Sequence, residues 1–362
     1  MSDVREINQI EQLGDLREAW NVLLDQTPRA SFFQSLEWLE TYWRHFGLDQ
    51  KLRTLVVSDD GRTVGIVPLA VRRERTRLGM LRVLTYPLHD WGSFYGPIGP
   101  DPAAALASGL QYVRATRRDW DLIELRWVSP DGGMAPVEQA LETAGYRAYR
   151  SVWDQTALVD LGDTRDGWFN ARPAKWRSNV RRDERRLRER GTVEYIRYRP
   201  LGNRFGEDDP RWDLYGDCET VARRSWQGDS TNGTTLTHTS IRAYLRDAHA
   251  AAAARGEVDM NLLYFDGRPL AFSYNYYRRG RVQGLRSGFD AELAREGAGN
   301  LLHVSAIRDS FARGDLLYDL GVKYLECKRY LMTRIVPIYR YSHFALSPRA
   351  QLLRVKRWMQ AR

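Results

Sequence analysis

LVVSDDGRTVGIVPLAVRR (residues 55–73) and LLYFDGRPLAFSYNYYRR (residues 262–279) are the two stretches whose reading decides the fold. Each holds two apolar, β-branched or aromatic runs, hinged at Asp60-Gly61-Arg62 in the first and Asp266-Gly267-Arg268 in the second. Asp-Gly supplies the left-handed residues that a tight turn between two strands demands, so both stretches read as β-hairpins. About fifty residues later each is followed by a helix-like stretch and then a buried-looking strand. In the first copy that strand is Trp120-Asp121-Leu122-Ile123-Glu124-Leu125; in the second it is Leu316-Leu317-Tyr318-Asp319-Leu320. Two hairpin–helix–strand units at matching spacing predict an internally duplicated fold. Duplicated units often keep one working site and leave the other half as scaffold.

Working outward, Ser31 to Gly47 carries apolar residues at 36, 39, 42, 43 and 46, a helical stripe with Gly47 as its stop. A loop rich in glycine and aromatics, Asp90 to Gly96, precedes a helix near 102–117. Helices are also expected at about 211–226 and 239–255, before the second hairpin. The alternation predicts an α/β (α+β) protein in which each unit is a mixed, mostly antiparallel sheet flanked by helices. The expected division is 1–160 and 161–362, with the ligand site in the second part.

The 362 residues allow about two domains. Hydrophobic content of 43% is that of a globular chain and excludes a mostly disordered one. There is no apolar run long enough to cross a membrane and no secretory leader pattern at Met1-Ser2-Asp3-Val4-Arg5-Glu6, which predicts a cytoplasmic protein. Cys218 and Cys327 are too few for a disulfide framework. The six histidines show no ligand-like spacing with each other or with the cysteines, so no metal is expected. The net charge of +9 is local: residues 172–190 hold nine basic and three acidic residues, six of the nine excess charges. Trp176, Val180 and Leu187 share one face of that segment while Arg181, Arg185 and Arg188 take another, and Gly191 ends it, so it reads as an amphipathic helix.

The richest segment for chemistry is 281–330. Arg281 to Asp290 reads as a strand that changes character at Ser287-Gly288, just after Arg286, and Arg295-Glu296-Gly297-Ala298-Gly299-Asn300 leads into a helix. Small residues before a helix let backbone N–H groups approach a ligand, and the helix N-terminus favours an anion such as a pyrophosphate. Arg295 would add charge-assisted contacts. The same residues also suit an ordinary capping loop. They form neither a dinucleotide fingerprint nor a P-loop.

The order Asp-Gly-Arg hairpin, strand, Gly288-Phe289-Asp290, small-residue turn, helix ending Phe311-Ala312-Arg313-Gly314, strand Tyr318-Asp319-Leu320-Gly321 and Lys328 resembles the GNAT-like acyltransferases of the cellulose-biosynthesis CelD type, relatives of the Fem-type peptidyltransferases. Phe33-Gln34-Ser35-Leu36-Glu37-Trp38, Val64 to Leu69 and Arg177-Ser178-Asn179-Val180-Arg181-Arg182 are similar to that family as well. The resemblance spans residues 30–345. It implies two GNAT-type units, an acyl donor held mainly by the C-terminal one, and direct attack of an acceptor amine on the donor carbonyl. Acetyl-coenzyme A or another acyl-coenzyme A is the expected donor. The pyrophosphate loop of such proteins is one residue longer than Arg295 to Gly299, a departure common in the double-unit relatives, some of which use aminoacyl-tRNA instead.

Within that chemistry Asp319 would orient or deprotonate the amine, Lys328 would offset charge at the oxyanion or donor phosphate, and Tyr324 or Tyr330 would protonate a thiolate. Arg286, Ser287, Arg295, Gly297, Ala298, Gly299 and Asn300 would hold the donor. Arg181, Arg182, Arg185 and Arg186 read three ways: as a solvated face, as a site for tRNA, or as contact with anionic lipid or a polyanionic acceptor. Cys327, beside Lys328 and Arg329, reads as a bystander more than a nucleophile. The acceptor would be a small-molecule or peptide amine. A tRNA-dependent amide-forming transferase and a catalytically silent scaffold in polysaccharide assembly are the alternatives.

Overall fold

A computed structural model describes residues 3–76, 79–88, 91–92, 94–128, 134–226, 228, 235–291 and 297–360. The expected hairpins are present: β2 (Gln50–Asp59) turns into β3 (Arg62–Thr76), and β8 (Val258–Phe265) turns into β9 (Arg268–Arg278). At the first turn Asp60 has φ 48° and Gly61 φ 76°; at the second Asp266 has φ 48° and Gly267 φ 73°. Two consecutive left-handed residues match the right-handed twist of the strands they join.

The chain divides into two compact units, Met1–Asp154 with Pro337–Arg362, and Gln155–Val336. In the first, β1 (Asp3–Ile7) precedes α1 (Arg17–Gln26) and α2 (Leu36–Phe46), then come β2, β3, β4 (Gly79–Thr85), α3 (Pro102–Ala115) and β5 (Leu122–Val128). α4 (Met134–Thr143) leads to β6 (Tyr149–Asp160), within which the boundary falls. The second unit continues with α5 (Arg165–Asn170), α6 (Ala174–Arg190), β7 (Val193–Tyr198), α7 (Trp212–Arg224), α8 (Arg242–Ala254), β8, β9, β10 (Arg281–Phe289), α9 (Ala298–Ala312), β11 (Leu317–Val322) and α10 (Leu325–Lys328). β12 (Arg334–Phe344) carries the chain back, and α11 (Pro348–Gln360) ends it.

Within the first unit the strand order is β1-β2-β3-β4-β5-β12, and within the second it is β6-β11-β10-β9-β8-β7. Both repeat one plan: an edge strand, two helices, a hairpin, a third antiparallel strand, a helix, and a strand parallel to the third. The expected division at residue 160 is corrected at both ends. β6 pairs with β11 from Asp160 to Thr156, so the second unit begins at Gln155. β12 pairs with β5 from Tyr339 to Phe344, so residues from Pro337 onward close the first sheet.

Each unit has its own core. In the first, Trp20, Leu24, Leu36 and Leu39 of the two leading helices pack with Val56 and Ile66 of the hairpin. In the second, Trp168, Phe169, Trp176, Val180 and Leu187 from α5 and α6 join Val304 and Ile307 of α9 over Leu270, Ala271, Val282 and Tyr318. Trp176, Val180 and Leu187 are the stripe read from the sequence, and Gly191 caps the helix that bears them.

Candidate active site

β11 reads Leu317-Tyr318-Asp319-Leu320-Gly321-Val322, and strand alternation sends Tyr318 into the core under α9 while Asp319 points to the opposite face. Parallel pairing of β10 with β11 runs Arg281↔Leu317, Val282↔Tyr318 and Gln283↔Asp319, and no further rung is formed. Beyond it the strands diverge. β10 shifts register between Gly284 and Arg286 and stays with β9, while β11 stays with β6 through Val322↔Thr156. The irregularity thus lies at Gly284 to Arg286 rather than at Ser287-Gly288.

The fork is held by two glycines. A methyl group at Gly284 would sit 2.5 Å from the Asp319 carbonyl oxygen, and one at Gly321, where φ is +81°, would sit 3.1 Å from the Gly284 carbonyl oxygen. Side chains there would drive the strands apart below the fork. A crevice at the carboxyl ends of parallel strands is where open α/β sheets bind ligands.

Asp319 stands at that crevice, 4% exposed. Its Oδ1 accepts from Thr156 Oγ1 at 2.5 Å and from the Gly321 N–H at 2.8 Å. Its Oδ2 accepts no hydrogen bond among the described residues. Burial pushes the carboxyl up to about 6, against the pull of Thr156, the Gly321 N–H, Lys328 and Arg281. A carboxylate tuned toward neutrality with one oxygen free has the properties of a general base.

Lys328 is committed elsewhere. Its Nζ donates to the carbonyls of Gly321 at 2.7 Å, Val322 at 3.1 Å and Lys323 at 2.9 Å. These three acceptors match the three protons of an ammonium. The clamp closes a loop in which Lys323 (φ 61°) and Tyr324 (φ 50°) are both left-handed. Lys328 therefore acts on Asp319 through its charge and through the loop rather than as an open anion hole.

The tyrosines are not brought to Asp319. Tyr324 is 60% exposed and meets the ring of Trp226 edge-on at 5.0 Å. Tyr330 packs on Trp176 at 6.2 Å in the helical core.

Of the expected donor residues, Arg286 and Ser287 lie on the β10 arm of the fork, opposite Tyr274 and Ser273. Gly297 (φ 69°) starts α9, Ala298 is buried and Asn300 is exposed. Packing accounts for their size: a methyl group at Gly299 would lie 2.9 Å from Phe289 Cδ1, and one at Gly297 would lie 3.0 Å from Asp183 Oδ2. A carboxylate from α6 thus faces the electropositive end of α9. Arg295 lies outside the described residues.

On α6, Arg181, Arg182, Arg185 and Arg186 all face solvent. Arg182 pairs with Asp183 at 2.9 Å, Arg185 with Glu189 at 3.6 Å, and Arg181 lies over Phe169 at 5.5 Å. Arg186 meets no carboxylate among the described residues.

One neighbour of Asp319 and one further buried group were not expected from the sequence. Gln283 is the partner of Asp319 across the parallel rung, so the two side chains share a face. Gln283 is 7% exposed, and its Oε1 is closed off from solvent without a hydrogen-bond partner. Its signal in the sequence was weak, because the same strand also carries Arg281, Arg286 and Ser287. His303 on α9 also carries a closed-off Nδ1 with no partner. Burial, with the Lys328 charge adding to it, holds that imidazole down to about 4, so it is neutral at pH 7.

The first unit supplies an internal control. Arg72 and Arg278 lie equally far beyond the turn glycines Gly61 and Gly267. The row Arg72–Val83–Leu122 therefore matches the row Arg278–Arg281–Leu317. Two residues along β5 and β11, Glu124 matches Asp319. Glu124 is fully buried, but Arg126 Nε donates to it at 2.6 Å, Ser342 Oγ at 3.2 Å, and Arg357 pairs with it. Burial works to raise it, yet Arg126, Arg357 and Arg340 prevail and hold the carboxyl down to about 2. Equivalent carboxylates are thus pushed in opposite directions, one locked in ion pairs and one left with a free oxygen.

Residues 174–329 match the model of the Acetyltransferase (GNAT) domain family, a span that includes α6, the whole fork and Lys328. No curated protein matches the chain in sequence. Among solved structures the fold is similar to FemX, with TM-score 0.62, 12% identity, and coverage of 97% of this chain and 99% of that one. It is also similar to the C-terminal domain of an Agrobacterium fabrum protein named for lysylphosphatidylglycerol synthetase, with TM-score 0.56, 14% identity and 95% of each chain covered. A Bacteroides thetaiotaomicron protein of unknown function gives TM-score 0.52 at 14% identity, over 95% of this chain and all of that one. At these identities the likeness is one of fold. Among the described residues no helix is long and apolar enough to cross a membrane, and no three His, Cys, Asp or Glu side chains gather as metal ligands.

Proposed function

We propose that the second unit transfers an acyl group from acyl-coenzyme A to an amine, with Asp319 as general base, as the CelD-type motifs of the sequence imply. The observation that carries the reading is the Asp319 carboxyl itself, displaced upward to about 6 with Oδ2 free at the mouth of the fork. The GNAT match over residues 174–329 supports the reaction class.

Oδ2 takes a proton from the ammonium form of the acceptor, which frees the nitrogen lone pair. The lone pair attacks the thioester carbonyl carbon, the C–N bond forms, and the C–S bond breaks as the tetrahedral intermediate collapses. The thiolate takes the proton that the new amide nitrogen sheds, directly or through water, and the Asp319 carboxyl returns its own proton to solvent. Gln283 Oε1, on the same face, accepts a second N–H of the amine and fixes its direction of approach. Coenzyme A belongs to the cytoplasmic pool, so the reading carries a cytoplasmic location with it.

Two observations favour a second donor. Asp183 beside the start of α9 opposes a pyrophosphate there, and the outward arginines of α6 suit a polyanion. Aminoacyl-tRNA, used by Fem-type proteins, would meet both conditions.

Thiol release from acetyl-coenzyme A over a panel of amines tests the first reading. Turnover abolished by Asp319→Asn is expected. Turnover with charged tRNA alone, lost at high salt and on replacing Arg181, Arg182, Arg185 and Arg186, would transfer the reading to the second donor. No turnover with either would leave a silent scaffold.

A further inference from the structure

The C-terminal helix α11, PRAQLLRVKRWMQ, has two apolar faces where a surface helix needs one. Its inner face is Ala350 and Leu353, both buried against Leu81, Val83, Leu122 and Phe344. On the opposite side Leu352 is 58% exposed, Val355 45%, Trp358 55% and Met359 59%, and Leu346 in the preceding turn is 89% exposed. Leu352, Val355 and Met359 fall at i, i+3 and i+7, with Trp358 one position before the last, which places all four on one side of the helix.

The charges decide what this face meets. α11 holds Arg349, Arg354, Lys356 and Arg357 and no acidic residue. Arg357 turns inward to Glu124, while Arg349, Arg354 and Lys356 border the outer apolar arc. A second copy of the same helix would bring cations against cations, which opposes self-association. An apolar arc with tryptophan at its end and cations along its margins fits the boundary of an anionic bilayer, where aliphatic groups enter the acyl region and guanidinium and ammonium groups meet lipid phosphates.

We propose that α11 is an interfacial anchor that seats this protein on an anionic lipid surface. The inference stands apart from the acyltransferase reading, since none of these residues lies in the second unit.

Co-sedimentation of the full chain with vesicles tests it, using phosphatidylcholine alone and phosphatidylcholine mixed with phosphatidylglycerol. Binding to the mixed vesicles, weakened by salt and reduced at least about tenfold by Val355→Glu with Met359→Glu, is expected. Lys356→Glu should weaken it less and only toward anionic vesicles. Because these side chains are exposed, the variants should melt as the parent does. No sedimentation with mixed vesicles overturns the proposal, as does binding that the double substitution leaves intact. A concentration-dependent dimer that the same substitution abolishes would also overturn it, by assigning the face to a second copy.

Discussion

Replacing Asp319 by Asn should stabilise the protein at neutral pH while removing its activity. In the folded chain the carboxyl titrates at about 6 rather than 3.8, because burial outweighs the hydrogen bonds and cations that favour its charge. That displacement corresponds to ~3 kcal/mol of cost for holding the ionised form at pH 7. For an acid raised on folding, the native state binds the extra proton. Stability is therefore fully present below pH 4 and is lost as pH rises through 6. Asparagine is nearly isosteric, and its Oδ1 can still accept from Thr156 and Gly321, so the cost is removed with little else changed. Allowing for an imperfectly placed amide, the gain at pH 7.5 should be about 2 kcal/mol. For a unit of this size that is a rise in melting temperature of about 5 °C. At pH 4 the advantage should vanish, since the aspartate is then neutral in the fold. The assay is thermal unfolding at both pH values beside amine-dependent thiol release. If the parent protein turns over as proposed, its kcat/KM should climb through about pH 6 and level off. A variant that melts lower at pH 7.5, or that keeps its turnover, would refute the reasoning.

Glu124→Gln should do the reverse. Its carboxyl lies near 2 rather than 4.5, so its ion pairs contribute ~3 kcal/mol above pH 4.5 that is lost as pH falls through 2. The variant should unfold earlier at pH 7 while turnover per folded molecule is unchanged, and lost turnover at full folding would contradict its structural role. Gly284→Ala should cost about 1–3 kcal/mol, because the new methyl meets the Asp319 carbonyl oxygen at 2.5 Å; a melting temperature equal to the parent's would show that the fork is looser than described. Lys328→Met removes a cation that lowers Asp319, so the acidic limb of the rate profile should move above pH 6. A limb that moves down, or stays, would mean that the Lys328 charge does not reach Asp319.

What the sequence disclosed and what it hid follow from the range of the interactions involved. The Asp-Gly hairpins were legible because a two-residue turn depends only on its own backbone angles. The Trp176–Val180–Leu187 stripe was legible because helical periodicity is local. The exchange of β6 and β12 was not: strand pairing is set by partners far along the chain, and an alternating segment does not announce which sheet it completes. Gly297 and Gly299 were visible as small residues, but the reason for their size, Phe289 and Asp183, lies on other elements.

The same distinction governs the choice between the two halves. Asp121-Leu122-Ile123-Glu124-Leu125 and Leu317-Tyr318-Asp319-Leu320 each set one acid in a buried strand, and nothing in either stretch says which acid is reactive. In the first unit one partner of Glu124 is near, Arg126 on the same strand, but another, Arg357, comes from 233 residues away on the last helix. The second unit brings no arginine into a hydrogen bond with Asp319 among the described residues; it supplies a hydroxyl, a backbone N–H, the distant charge of Arg281 and a lysine whose protons are given to carbonyls. An acid satisfied by guanidinium groups is fixed as an anion and can neither gain nor release a proton near neutrality. An acid denied them keeps a proton affinity near that of its surroundings, which is the condition for proton transfer. The half proposed to be reactive is therefore the one whose buried acid is left without paired guanidinium groups.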